Sequence, residues 1–233
     1  MTRFEAIIFD MDGLLLDTER IALSAFMETC AQMGICAQEE LFIRCIGTNQ
    51  VLGREVLRAG LQGQVDYLAF EQVWDSKYVE RISNGPIPLK EGAAELLDRI
   101  SSLQIPAAVA TSTRTARAQE KLGKCGILDR FRAIVGGDQV RNGKPAPDIY
   151  LRAAEVLNAR PEACLAFEDS ENGVRAAVGA GMTVVQVPDL VLPSPDLLAL
   201  GHIVLRSLSD AVPYLSGRAS SATVEPAVGT WRE

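Results

Sequence analysis

Histidine is almost absent: His202 stands alone in a chain of 233 residues. Histidine-rich zinc sites and triads that need an imidazole base are thereby set aside. His202 itself reads as a residue at a strand end. Cysteine is sparse and unpatterned. Cys30, Cys36, Cys45, Cys125 and Cys164 are odd in number, and no two form C-x-x-C. Their mostly apolar neighbours predict buried, reduced thiols rather than metal ligands. Basic runs are missing and the net charge is -7, which gives no support for a nucleic-acid partner. No apolar stretch approaches the ~20 residues of a membrane span. The short apolar run Ala6–Phe9 is cut off by Asp10, too soon for a signal peptide. The expectation is a cytoplasmic protein with no membrane and no obligate protein partner. Internal repeats are also lacking.

What is present is an alternation. Short apolar runs occur at 4–9, 105–110, 131–135, 164–167, 183–187 and 203–205. Continuous apolar strands of this kind suit a parallel sheet covered on both faces. Helical patterns lie between them at 91–103, 114–123, 148–157 and 172–180. Strand and helix in alternation predict a doubly wound, Rossmann-like α/β fold. Gly181 suits the C-terminal cap of the helix at 172–180, and Pro147 suits the first turn of the helix at 148–157.

One interval breaks the alternation. From about residue 18 to 82 no strand pattern is seen. Leu23, Phe26, Met27, Cys30 and Met33 recur at helical spacing, with Gly34 as a stop. Val51, Val56 and Leu57 predict another helix, and 67–82 a further one. Asp17 or Thr18 can cap the first. The return passes through Ser83, Asn84, Gly85, Pro86, Ile87 and Pro88, where Gly and Pro mark a non-helical crossing. The expected division is therefore a core of 1–16 and 84–215, an inserted helical domain of 17–83, and a tail of 216–233.

The residues suited to chemistry sit where strands end. Asp10 and Asp12 are two apart, so an extended backbone projects both carboxylates to one side. They follow a buried parallel strand, where open α/β sheets place ligands, and Gly13 permits a sharp turn beside them. Thr111 and Ser112 end the second strand ahead of a helix and can form an anion site. Lys144 lies between Gly143 and Pro145 on a restrained backbone. Glu168 and Asp169 end the fourth run and offer the hard oxygens that Mg2+ prefers. Taken singly, each has a plain structural alternative: aspartates capping a turn, a hydroxyl capping a helix, a surface lysine, an N-cap at Asp169 or Ser170. Taken together on one sheet edge, they suit phosphoryl transfer, with a nucleophile, a metal and donors for phosphate oxygens.

In this order and spacing, Ile8 to Glu19, Thr111 to Thr113, Gly143-Lys144-Pro145 and Phe167 to Gly173 resemble the motifs of the haloacid dehalogenase-like superfamily. The resemblance runs from about Phe4 to Leu208, and the insertion resembles the family's small helical cap. It implies a Mg2+-dependent hydrolase of a small phosphate monoester, such as a sugar phosphate or a nucleotide-like ester. Asp10 would become an aspartyl-phosphate and Asp12 would serve as general acid and base. Metal ligands would come from Asp10, the Asp12 carbonyl and Asp169, with Glu168 assisting. Thr111, Ser112 and Lys144 would hold the phosphate.

Asp12 favours phosphoryl chemistry over carbon–halogen cleavage, because the dehalogenases lack that second acid. The chain is also similar to the β-phosphoglucomutase branch. That branch has a histidine at the position of Ala22 and an arginine near Gln50, and neither is present here. Phosphatase is thus expected ahead of sugar phosphomutase, and both ahead of a non-catalytic phosphoester-binding protein. The polar loop from Ile46 to Gln50 is the expected specificity element, with Asn49 or Gln50 reaching the leaving group or merely capping the next helix.

Overall fold

A computed structural model describes residues 4–36, 38–46 and 50–215, with Gln50 described in its backbone alone. Asn49 and the expected tail of 216–233 lie outside the described residues.

The strands are β1 (Ala6–Phe9), β2 (Ala107–Thr111), β3 (Ala133–Gly136), β4 (Cys164–Glu168), β5 (Thr183–Gln186) and β6 (Ile203–Val204). They form one sheet in the order β3-β2-β1-β4-β5-β6. Every pairing is parallel. The two faces divide by the period of two that a strand imposes. Ile7 and Phe9 point into one apolar cluster together with Val109, Leu165 and Phe167. Ala6 and Ile8 point into the other with Ala108, Ala110 and Ala166.

Helices cover both faces. In chain order they are α1 (Thr18–Gln32), α2 (Glu39–Ile43), α3 (Gln50–Gly60), α4 (Tyr67–Asn84), α5 (Ala93–Ser102), α6 (Thr115–Lys124), α7 (Asp148–Leu157), α8 (Glu171–Gly179), α9 (Pro195–Leu198) and α10 (Val212–Leu215). The apolar stripes of α5 and α6 fill the first cluster. Those of α7 and α8 fill the second, where the alanines of the sheet let α7 pack close. The six strands with helices on both faces are the α/β architecture that the alternating pattern predicts.

Helices α1 to α4 enclose a third apolar cluster of their own. Phe26 lies 5.5 Å from Phe42, 5.3 Å from Phe70 and 5.5 Å from Trp74, centroid to centroid. The two chain crossings that join these helices to the sheet run side by side. Asp17 N donates to Pro88 O and Lys90 N to Leu15 O, each at 2.9 Å.

Several expectations need correction. Neither Asp17 nor Thr18 caps α1. Asp17 holds the N-cap position without a side-chain hydrogen bond, and the Thr18 hydroxyl donates to Asp12 instead. Helix α4 runs through Asn84, so the return crossing starts two residues later than Gly and Pro spacing alone suggests. The helix expected at Val51, Val56 and Leu57 is present as α3, with Leu57 buried and Val51 69% exposed. Cys36 is exposed, unlike the buried Cys30 and Cys164. Helix α2 is absent from the sequence reading.

Candidate active site

The strand order puts the ends of β2, β1 and β4 next to one another. Between β1 and β4 the winding reverses, and ligands of open α/β sheets settle at that crevice. Asp10 extends the β1–β4 ladder, its N–H donating to Phe167 O at 3.0 Å. Thr111 closes β2 and Glu168 closes β4.

Lys144 is buried, with 4% of its surface exposed. An ammonium so placed must be paired, and its Nζ donates to Asp10 Oδ1 and Glu168 Oε1, each at 2.5 Å. Its own pKa is raised: burial opposes the charge, but the two carboxylates outweigh burial. Glu168 is saturated with donors. Its Oε1 also accepts from Tyr150 Oη at 2.5 Å. Its Oε2 accepts from Asp169 N at 3.2 Å, Ser170 N at 3.4 Å and Ser170 Oγ at 3.2 Å. Ser170 Oγ also caps α8 by accepting from Gly173 N. That leaves Asp169 free of the capping duty.

Asp12 sits in a different environment. Its Oδ1 accepts from Thr18 Oγ1 at 2.6 Å and Lys121 Nζ at 2.7 Å, and its Oδ2 from Thr113 Oγ1 at 2.7 Å. Burial pushes its pKa up, but Lys121 and the two hydroxyls prevail and hold it below the usual value. Asp10 goes the other way. Burial, with help from Glu168 and against Lys144, pushes it up to about 7. Asp169 is raised well above its usual value by burial and by Asp10 and Glu168. Two carboxyls two residues apart are thus pushed in opposite directions by their surroundings in the metal-free site.

Asp10, Glu168 and Asp169 bring carboxylate oxygens within 4.8 Å of one another. Lys144 is the one cation that pairs with any of them among the described residues. Asp169 makes no ion pair there. A crowd of buried oxygens short of positive charge fits a hard divalent cation such as Mg2+. Gly13 is part of the cradle: its φ is +85°, and a Cβ there would fall 2.4 Å from Asp169 Oδ2. Behind Asp169, its carbonyl accepts from Gln186 Nε2 at 3.0 Å, and Gln186 Oε1 lies 2.8 Å from His202 Nε2. His202 therefore stands at a strand end, as expected.

A cavity of about 630 Å³ opens over these groups, between the sheet edge and the helices α1, α3 and α4. Asp10, Asp12, Thr111, Ser112, Lys144 and Asp169 all line it. Glu168 does not, since it lies beneath, fully buried. Thr111 is itself buried, and its Oγ1 accepts from Thr113 N at 3.1 Å, while Ser112 is exposed. The side chains of Asn49 and Gln50 lie outside the described residues. Sequence reasoning passed over Lys121 and Tyr150, and named Thr113 within the motif that ends β2 without its bond to Asp12. The available signal for Lys121 was its place in the buried stripe Ala118-Lys121-Leu122 of α6. Tyr150 belongs to the buried stripe of α7, where its hydroxyl needs a partner.

Residues 7–187 match the family described as haloacid dehalogenase-like hydrolase. A phosphorylated carbohydrates phosphatase of Thermotoga maritima is 37% identical over 179 residues, which cover 76% of this chain and 82% of that protein. Protein CbbY of Rhodobacter capsulatus is 34% identical over 231 residues, 95% of this chain and 98% of that one. The crystal structure of CbbY from Rhodobacter sphaeroides in complex with phosphate is similar at a TM-score of 0.72 and 30% identity, over 89% of this chain and 96% of that one.

Proposed function

The chain belongs to the haloacid dehalogenase-like hydrolase family, and from that premise we propose that it is a Mg2+-dependent phosphatase. Its substrate would be a small phosphate monoester, a sugar phosphate or a nucleotide-like ester, cleaved through an aspartyl-phosphate on Asp10. The observation that carries the reading is the pairing of Asp10 with Lys144 at the floor of the cavity while Asp12 is held apart by Thr18, Lys121 and Thr113.

Lys144 fixes Oδ1 of Asp10 and so leaves Oδ2 to attack phosphorus. As that P–O bond forms, the bond to the ester oxygen breaks, and Asp12 gives a proton to the leaving alkoxide. Water then attacks the aspartyl-phosphate, Asp12 takes the proton back, and phosphate departs with the Asp10 carboxylate restored. General acid–base work of this kind contributes about 10²–10⁴-fold. Asp10, Asp169 and the Asp12 carbonyl would hold Mg2+, which supplies charge neutralisation to the phosphate when bound. Glu168 would assist at the metal, directly or through water, and it also holds Lys144 from below. Thr111 supports the turn on which Ser112 meets phosphate oxygens.

The helices of 17–83 are read as a cap that excludes water from the cavity and selects the leaving group. Asn49 and Gln50 keep their proposed part in that selection, and unchanged kinetics in Asn49→Ala and Gln50→Ala would remove it. Ala22 lines the cavity with no imidazole to offer, which favours hydrolysis over a mutase reaction.

The deciding experiment is phosphate release from a panel of hexose phosphates, deoxysugar phosphates, nucleoside monophosphates and polyol phosphates. Turnover of one ester, abolished by chelator and by Asp10→Asn, is the expected result. No release from any ester by metal-loaded protein would overturn the reading.

A further inference from the structure

Lys121 has no part in the family motifs, yet its surroundings are built with care. It lies on the inward stripe of α6 between Ala118 and Leu122, and its side chain is 7% exposed. A helix surface offers a lysine easy access to water, and burying the ammonium is unfavourable unless it is paired. The pair is Asp12, at 2.7 Å. On its other side Nζ stands 5.5 Å from the ring centroid of Tyr78, a cation–π distance. Tyr78 belongs to α4. Lys121 is thus seated between a residue of the sheet edge and a residue of the inserted helices.

The three donors to Asp12 come from three parts of the chain. Thr18 opens α1, Thr113 follows β2, and Lys121 comes from α6. Together they hold both carboxylate oxygens and so fix the plane of the group. Lys121 is the charged donor of the three, and charge-assisted hydrogen bonds are the stronger kind.

We propose that Lys121 is a positioning residue that aims the Asp12 carboxylate at the leaving-group oxygen, and that Tyr78 completes its seat when α4 is docked. The inference rests on the phosphatase reading and on Asp12 as its acid. It makes the alignment of the acid depend on the inserted helices, because the lysine loses one wall of its seat when α4 moves away.

The test compares two esters. A hexose phosphate needs its leaving alkoxide protonated, whereas p-nitrophenolate leaves p-nitrophenyl phosphate without help. The ratio kcat/KM reports the steps up to departure of the alcohol. Lys121→Met is expected to lower kcat/KM for the hexose phosphate about 10²-fold, mainly through kcat, the size of a lost general acid. The p-nitrophenyl ester should be nearly unaffected. Tyr78→Ala, which leaves the ion pair in place, should give the same contrast in smaller measure, and it carries the test if Lys121→Met does not fold. Equal losses on both esters would overturn the proposal. A wild-type protein that releases phosphate from neither ester would instead overturn the phosphatase reading.

Discussion

Position 173 and the Glu168 carboxyl compete for one space: a Cβ on residue 173 would fall 1.9 Å from Glu168 Cδ and 2.0 Å from each of its oxygens. Gly173 sits in the first turn of α8, so the helix can close over the carboxylate that holds Lys144. Gly173→Ala must therefore displace Glu168, a side chain with no exposed surface. Overpacking of this kind costs about 1–3 kcal/mol. Through Lys144 it also moves Asp10, and misplacement near the reacting atoms costs on the order of 10²-fold. Urea unfolding and initial rates on the same variant check both expectations.

Lys144→Met leaves Asp10 and Glu168 as buried carboxyls without their cation. Removing one member of a buried pair destabilises by about 3–5 kcal/mol. Glu168→Gln on the Lys144→Met background should recover part of that loss, because it removes one of the stranded acids. A double-mutant cycle in urea shows the coupling. Strictly additive losses would mean that the two side chains do not act as a pair.

The sheet was legible because a parallel strand covered on both faces leaves a continuous apolar run, as at 164–167. Asp10, Asp12, Lys144 and Asp169 were legible because they stand where such runs end or where glycine and proline confine the chain. Lys121 was hidden because a lysine on a helix ordinarily marks the solvated face. Only its spacing from Ala118 and its adjacency to Leu122 set it on the buried stripe. Helix α2 spans only five residues, too few to show a period. The hydroxyl of Thr18 satisfies every rule for a cap, and it was drawn away by a carboxylate six residues earlier that tertiary structure brings within 2.6 Å.

Gly13→Ala tests the cradle of the candidate metal site from the opposite side. The substitution meets a φ of +85° and places Cβ 2.4 Å from Asp169 Oδ2. Asp169 must turn aside, so affinity for Mg2+ should fall by about 10-fold or more, as it does when the support of a ligand is disturbed. Calorimetric titration with Mg2+ and the Mg2+ dependence of the rate should both move. An unchanged affinity would remove Asp169 from the ligand set.

Glu19 faces the same cavity as these acids and predicts how the metal-free protein responds to pH. Burial pushes its carboxyl up to about 8, Asp12, Asp189 and Asp10 add to the rise, and Lys121 opposes it. Asp10 is pushed up to about 7. In the unfolded chain both protons are lost near the ordinary carboxylate values of 4.5 and 3.8. The native state therefore holds protons that the unfolded state has released, and stability falls as pH rises across that window. Chelator-treated protein should melt at a lower temperature at about pH 8.5 than at about pH 6. Glu19→Gln, neutral throughout, should melt above wild type at the higher pH and show a shallower fall. Added Mg2+ should raise the wild-type midpoint more at the higher pH, where the carboxylates it would bind are ionised. A variant that falls as steeply as wild type would place the proton uptake elsewhere than on Glu19.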